Sequence, residues 1–86
     1  MTDAPVRVAI TYCANCGYGP QAIDLTRALL DAYGTRLSKV ELVPWHDGSF
    51  EVAVNGVLVH SMMREGGFPE AETILAAVDH RLNGAT

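Results

Sequence analysis

The stretch "VRVAITYCANCGYGPQAIDLTRALL", Val6 to Leu30, decides the fold. Its first half alternates β-branched and smaller or polar residues, which is the period of a strand over Val6–Tyr12. Its second half changes period: Ala22, Leu25, Leu29 and Ala32 recur on one helical face, widened by Ile23 and Leu30. Pro20 suits a first helical turn, and Gly34 suits a stop, so a helix is predicted over Pro20–Tyr33. Between strand and helix stands Cys13-Ala14-Asn15-Cys16, the chain's only two cysteines. A C-x-x-C in a strand-to-helix turn is a thioredoxin-like arrangement.

Outward from that stretch, "KVELVP" (Lys39–Pro44) reads as a second strand ended by its proline. "SFEVAV" (Ser49–Val54) and "VLVHS" (Val57–Ser61) flank Asn55-Gly56, a strong hairpin signal. "PEAETILAAVDHRL" (Pro69–Leu82) is a last helix, with Ala71, Ile74, Leu75, Val78 and Leu82 on one stripe. The order is β-α-β-β-β-α. A regular two-residue hairpin would pair Val54 with Val57, Val52 with Val59 and Phe50 with Ser61. It would put Glu51, Ala53, Leu58 and His60 on the opposite face, with His60 across from Glu51. Each strand then has one apolar and one mixed face. Both amphipathic helices pack on the apolar face of a mixed four-stranded sheet, giving a two-layer α/β sandwich. Strands 1, 2 and 4 run the same way. The loops "CANCGYG", "PWHDG" and "MMREGGF" therefore gather at one edge, where open α/β sheets place their sites.

At 86 residues the chain is one small domain over 1–86. Its 49% apolar and 19% charged residues are a globular composition. The net charge of −4 excludes nucleic acid or an anionic membrane as the expected partner, because both reward a basic surface. No apolar run is long enough to span a bilayer, and "MTDAPVRVAI" does not read as a secretory leader. A cytoplasmic protein is expected, where structural disulfides rarely persist. The first residues up to Pro5 and the final "NGAT" read as tails. A sheet this small exposes its edge strands, which leaves room for a homodimer.

Three readings of the cysteines compete. In a redox pair, two intervening residues let the sulfurs reach disulfide distance; one thiolate attacks a substrate disulfide and the other resolves it. No Lys or Arg adjoins the pair, although His46 or Arg64 could approach from neighbouring loops. A closed zinc site needs four ligands, and His46 and His60 are the remaining candidates, without a second C-x-x-C. Two inert buried thiols are the third reading. Around the pair, Tyr12, Tyr18, Trp45 and His46 are candidate substrate contacts, each weighed against ordinary packing or a plain loop position. Met62 and Met63 suit adaptable apolar surface.

"YCANCGY", "GSFEVAVNGVLVHS" and "GGFP" before the last helix, in that order, resemble the selenoprotein W-related (Rdx) family over roughly Arg7 to Leu82. The resemblance implies a thioredoxin-like fold and thiol redox chemistry without a bound cofactor or metal, linked to glutathione or protein thiols. It places Cys13 at the family's first motif position. Cys16 takes the second, where selenoprotein members carry selenocysteine, so sulfur replaces selenium here. Phe68 and Pro69 match the family's turn and join the candidate substrate contacts. Pro69 is expected to open a helix, unlike the proline that precedes a strand in thioredoxins. A helix starting near Pro20 begins closer to Cys16 than to Cys13, and a helix dipole fades beyond the first turn. With selenocysteine's place at the second position, this makes Cys16 the expected nucleophile and Cys13 the resolver.

Overall fold

The computed structural model describes residues 6–83. The elements are β1 (Val6–Cys13), α1 (Gly19–Tyr33), a 3-10 turn (Gly34–Arg36), β2 (Leu37–Trp45), β3 (Phe50–Val54), β4 (Val57–Ser61), α2 (Met62–Glu65) and α3 (Ala71–Leu82). The tails expected at residues 1–5 and beyond Asn83 lie outside the described residues.

The sheet order is β2-β1-β3-β4, with β1 parallel to β2 and antiparallel to β3, and β3 antiparallel to β4. A parallel neighbour needs a crossover, and α1 supplies it. The core lies between one sheet face and the two long helices. Val6, Val8, Ile10, Phe50, Val52 and Val54 meet Ala22, Leu25 and Leu29 of α1 and Ile74 and Val78 of α3. Full burial of one such aliphatic side chain stabilises by about 1.5–3 kcal/mol. The alternation in β1 and β3 thus becomes one wall of a two-layer α/β sandwich, as expected. Tyr33, at the end of α1, donates its hydroxyl to the Leu75 carbonyl at 2.8 Å and ties the two helices together.

Several boundaries differ from expectation. β2 begins at Leu37 and runs through Pro44 to Trp45. It is an edge strand, and an edge can hold a residue without an N–H. α3 begins at Ala71, so Pro69 stands ahead of the helix and does not open it. The single turn α2 was not foreseen; Gly66, at φ 86°, closes it with an N–H to Met62 O bond of 2.7 Å. Ile23 and Leu30 do not widen the buried face of α1 but stand half exposed, and Ala32 is exposed too. The sheet contacts only one flank of the helix.

The hairpin turn forms as its sequence requires, with Asn55 at φ 51° and Gly56 at φ 83°. Asn55 also clasps β1, donating its N–H to Arg7 O and accepting the Arg7 N–H on Oδ1, both at 2.9 Å. The register beyond the turn is corrected. Val54 faces Val57 and Ala53 faces Leu58, but then Val52 faces His60 and Glu51 faces Ser61. Val59 is an extra residue, a bulge that slips the register by one and exchanges the two faces. His60 is therefore on the core side at 7% exposure, not across from Glu51 on the open face. Its Nε2 lies 2.8 Å from Gly67 O. Ser61 takes the place opposite Glu51, donating its hydroxyl to Oε2 at 3.3 Å.

Candidate functional site

β1 carries its last residue, Cys13, to the sheet edge where β2 and β4 also end. The chain then turns through Ala14–Gly17 before α1 starts at Gly19. Three backbone bonds hold the turn: Cys16 N–H and Tyr18 N–H to Cys13 O, each 3.3 Å, and Gly17 N–H to Ala14 O at 3.2 Å. Gly17 sits at φ 81°, which a side chain would resist. Two further bonds fix the loop to its neighbours. Cys13 N–H donates to Ser49 O at 2.7 Å, and Ala14 N–H to Trp45 O at 3.0 Å.

This geometry brings the sulfurs together, and Cys13 and Cys16 form a disulfide with their Cα atoms 5.3 Å apart. The two ends are unlike. Cys13 is 1% exposed, whereas Cys16 is exposed. The N-cap of α1 is Tyr18, without a side-chain cap, and no acidic residue stands in the first turn. The positive end of that helix is thus uncompensated, two residues beyond Cys16 and five beyond Cys13.

The expected contacts separate into two flanks. On the β2 side, Trp45 is paired with Cys13 across the ladder and is 52% exposed. Its ring stacks on His46 with centroids 4.5 Å apart, and His46 Nδ1 lies 2.9 Å from Asp47 Oδ2. On the other side, the Tyr18 ring meets Phe68 edge-on at 4.9 Å, and Phe68 meets the buried Phe50 at 5.1 Å. Pro69 continues that wall. Tyr12 packs against the core beside the start of α1; its ring edge lies 3.9 Å from the point a Cβ on Gly19 would occupy. The six candidates therefore do not line one pocket.

A groove of about 200 Å³ opens behind the Tyr18–Phe68 contact. Leu25, Phe50, Phe68 and Pro69 supply its apolar lining, and Gln21 and Asp24 its polar atoms. Residue reading assigned Leu25 and Phe50 to the core and did not single out Asp24. The available signal was position: these side chains lie at the ends of α1 and β3 nearest the cysteine loop. The cations that could have approached the thiols are engaged elsewhere. Arg64 binds Glu65 through Nε at 2.9 Å and Nη2 at 2.6 Å, and the resulting hydrogen bonds hold the Glu65 carboxyl below the usual carboxylate range. Among the described residues no group of three or more His, Cys, Asp or Glu is placed to hold a metal ion.

Residues 7–80 match the Rdx family. The chain belongs to the Rdx family. Among the proteins similar to this Rdx chain is selenoprotein W of Danio rerio, 34% identical over 82 residues that cover 90% of this chain and 95% of the relative. Migration and invasion enhancer 1 of Bos taurus is 32% identical over 79 residues, covering 92% of this chain and 67% of the relative. A crystal structure of a selenoprotein W-related protein from Vibrio cholerae superposes with a TM-score of 0.88 at 30% identity, covering 92% of this chain and 99% of that one. A crystal structure of a protein from Bordetella parapertussis gives 0.86 at 35% identity, covering 91% and 99%. The fold of the Rdx chain is accordingly the thioredoxin-like sandwich of these selenoprotein W-related proteins, and its cysteine pair fits a C-x-x-C redox motif. No helix among the described residues is long and apolar enough to cross a membrane.

Proposed function

We propose that this Rdx protein is a small thiol–disulfide redox protein of the cytoplasm, exchanging electrons with glutathione-type or protein disulfides. Cys16 is the nucleophile and Cys13 the resolving thiol. One observation carries the assignment of roles: the pair is asymmetric, with Cys13 buried and Cys16 exposed. A bulky disulfide reaches the exposed sulfur. The buried one is placed to attack from within once a mixed disulfide has formed. The nearby helix start favours the thiolate at Cys16.

The test is the alkylation rate of each cysteine against pH, together with titration of the pair in glutathione redox buffers. Cys16 is expected to react faster than Cys13. The pair is expected to convert between dithiol and disulfide across the buffer range. Two thiols that alkylate slowly and never pair would overturn the reading.

A second reading, a redox-sensitive binding module without turnover, draws on the exposed apolar side chains at this edge, Trp45, Phe68 and Met63. Pull-downs with oxidised and reduced protein, with Cys16→Ser as control, separate it from turnover.

A further inference from the structure

We infer that the pair serves cysteines in polypeptide segments bearing a bulky apolar side chain next to a basic one, rather than glutathione; this rests on the redox role proposed above. The first observation is the groove. At about 200 Å³ it is smaller than the roughly 300–1,000 Å³ of a small-molecule site. It has room for one large side chain, and Leu25, Phe50, Phe68 and Pro69 make its walls apolar. Tyr18, two residues beyond Cys16, packs on the Phe68 wall, so an extended segment with its cysteine at Cys16 reaches the groove within a few residues. Glutathione has no apolar side chain to put there.

Charge is the second observation. Arg64 is the only Lys or Arg in the loops after β1, β2 and β4, and it is bound to Glu65. His46 is held by Asp47. Those loops also carry Glu70, and Asp24 lines the groove. Among the described residues Asp24 pairs with Arg27, at 3.9 Å between two largely exposed side chains, which binds it weakly. Glutathione brings two carboxylates and one ammonium to this acidic edge and meets no uncommitted Lys or Arg in those loops. A Lys or Arg beside the apolar side chain seated in the groove meets Asp24.

The chemistry balances with the substrate disulfide as oxidant. The Cys16 thiolate attacks one substrate sulfur, and the other substrate sulfur leaves as a thiolate. Cys13, deprotonated by water, then attacks Cys16 Sγ. The substrate cysteine is released as a thiolate and takes up a proton. Two electrons pass from the Cys13–Cys16 dithiol to the substrate disulfide.

The test uses three mixed disulfides with the same coloured leaving group, 5-thio-2-nitrobenzoate. One is on glutathione, one on a short peptide with an adjacent leucine and lysine a few residues from its cysteine, and one on a peptide with glycine and glutamate in those places. Each rate of colour release by the reduced protein is divided by that of dithiothreitol with the same disulfide. At low salt the leucine–lysine peptide is expected to react on the order of tenfold faster than glutathione. Asp24→Lys, at an exposed position that leaves the core intact, is expected to cut that ratio several-fold. Equal rates, a preference for glutathione, or an unchanged ratio in Asp24→Lys would overturn this inference and leave the redox reading standing. Release from none of the three overturns the redox reading and this inference with it.

Discussion

At the scale of single residues, the two cysteines differ in every respect that bears on thiol chemistry except their element. Cys13 is buried at the strand end with its N–H bound to Ser49 O; Cys16 is exposed and nearer the helix start. Replacing Cys13 with serine should therefore trap a stable mixed disulfide on Cys16 when the protein meets a substrate disulfide. Cys16→Ser should trap little. Mass spectrometry of the adducts reads both, and the opposite pattern reverses the roles. A second residue-scale prediction concerns Glu65, whose carboxyl is held low chiefly by hydrogen bonds from Arg64. A carboxyl with a depressed folded value contributes stability above its unfolded pKa and loses it as pH falls through the folded one. NMR titration should place Glu65 below the ordinary glutamate midpoint, and Arg64→Gln should return it toward that midpoint. The cysteine pair was legible from spacing and strand polarity alone. The capture of Arg64 by its neighbour was not, because sequence adjacency on a one-turn helix does not say which acid a flexible guanidinium will choose.

The element that best separates what sequence can carry from what it cannot is the β3–β4 hairpin. Asn55-Gly56 specified the turn, and the two pairs nearest it formed as expected. The bulge at Val59 was invisible, because alternation of small apolar residues suits either register. The register goes with side-chain partners that alternation does not encode. His60, turned inward, meets the carbonyl of Gly67, and Ser61 meets Glu51. His60 thereby anchors the segment carrying Phe68, which forms one wall of the groove. His60→Leu keeps the size and burial of the side chain but leaves the Gly67 carbonyl without this partner. It should lower unfolding stability by about 1–3 kcal/mol, read by denaturant titration with an unchanged m-value. A loss near zero would mean that the Gly66–Gly67 segment is held by other contacts. The groove itself was only half legible: Leu25 and Phe50 were assigned to the core, as they are, but that they also wall a groove depends on where Phe68 packs beside them.

For the molecule as a whole, stability is expected to be small, on the order of 5–10 kcal/mol for a chain of this length. Single ties between layers then matter. Tyr33 links α1 to α3 through the Leu75 carbonyl, and its phenol is pushed above its ordinary pKa, first by burial and then by Asp79, with Arg36 opposing. The folded state thus holds the phenolic proton more tightly than the unfolded chain. The stability this contributes is present below the unfolded pKa near 10 and is lost as pH rises through the folded value. Tyr33→Phe should cost about 1 kcal/mol at neutral pH and should flatten the decline in stability above pH about 10. Melting curves across the alkaline range check both. The layer arrangement was legible because helical and strand periods each marked one apolar face. The sheet order was not, since strand polarity is compatible with more than one arrangement until contacts between β1 and β3 are known.

Trp45 is the only tryptophan in the chain, and it is paired in the ladder with Cys13 and stacked on His46. An indole beside a disulfide loses excited-state energy by electron transfer to the sulfur–sulfur bond, an acceptor that two thiols do not provide. Through this ladder pairing the molecule is expected to carry an optical gauge of its own oxidation state. Adding a reductant should brighten the Trp45 emission, and the Cys13→Ser variant should stay bright under conditions that dim the parent. Because one chromophore reports on one bond, electron transfer between this protein and a partner can be followed in real time without a label.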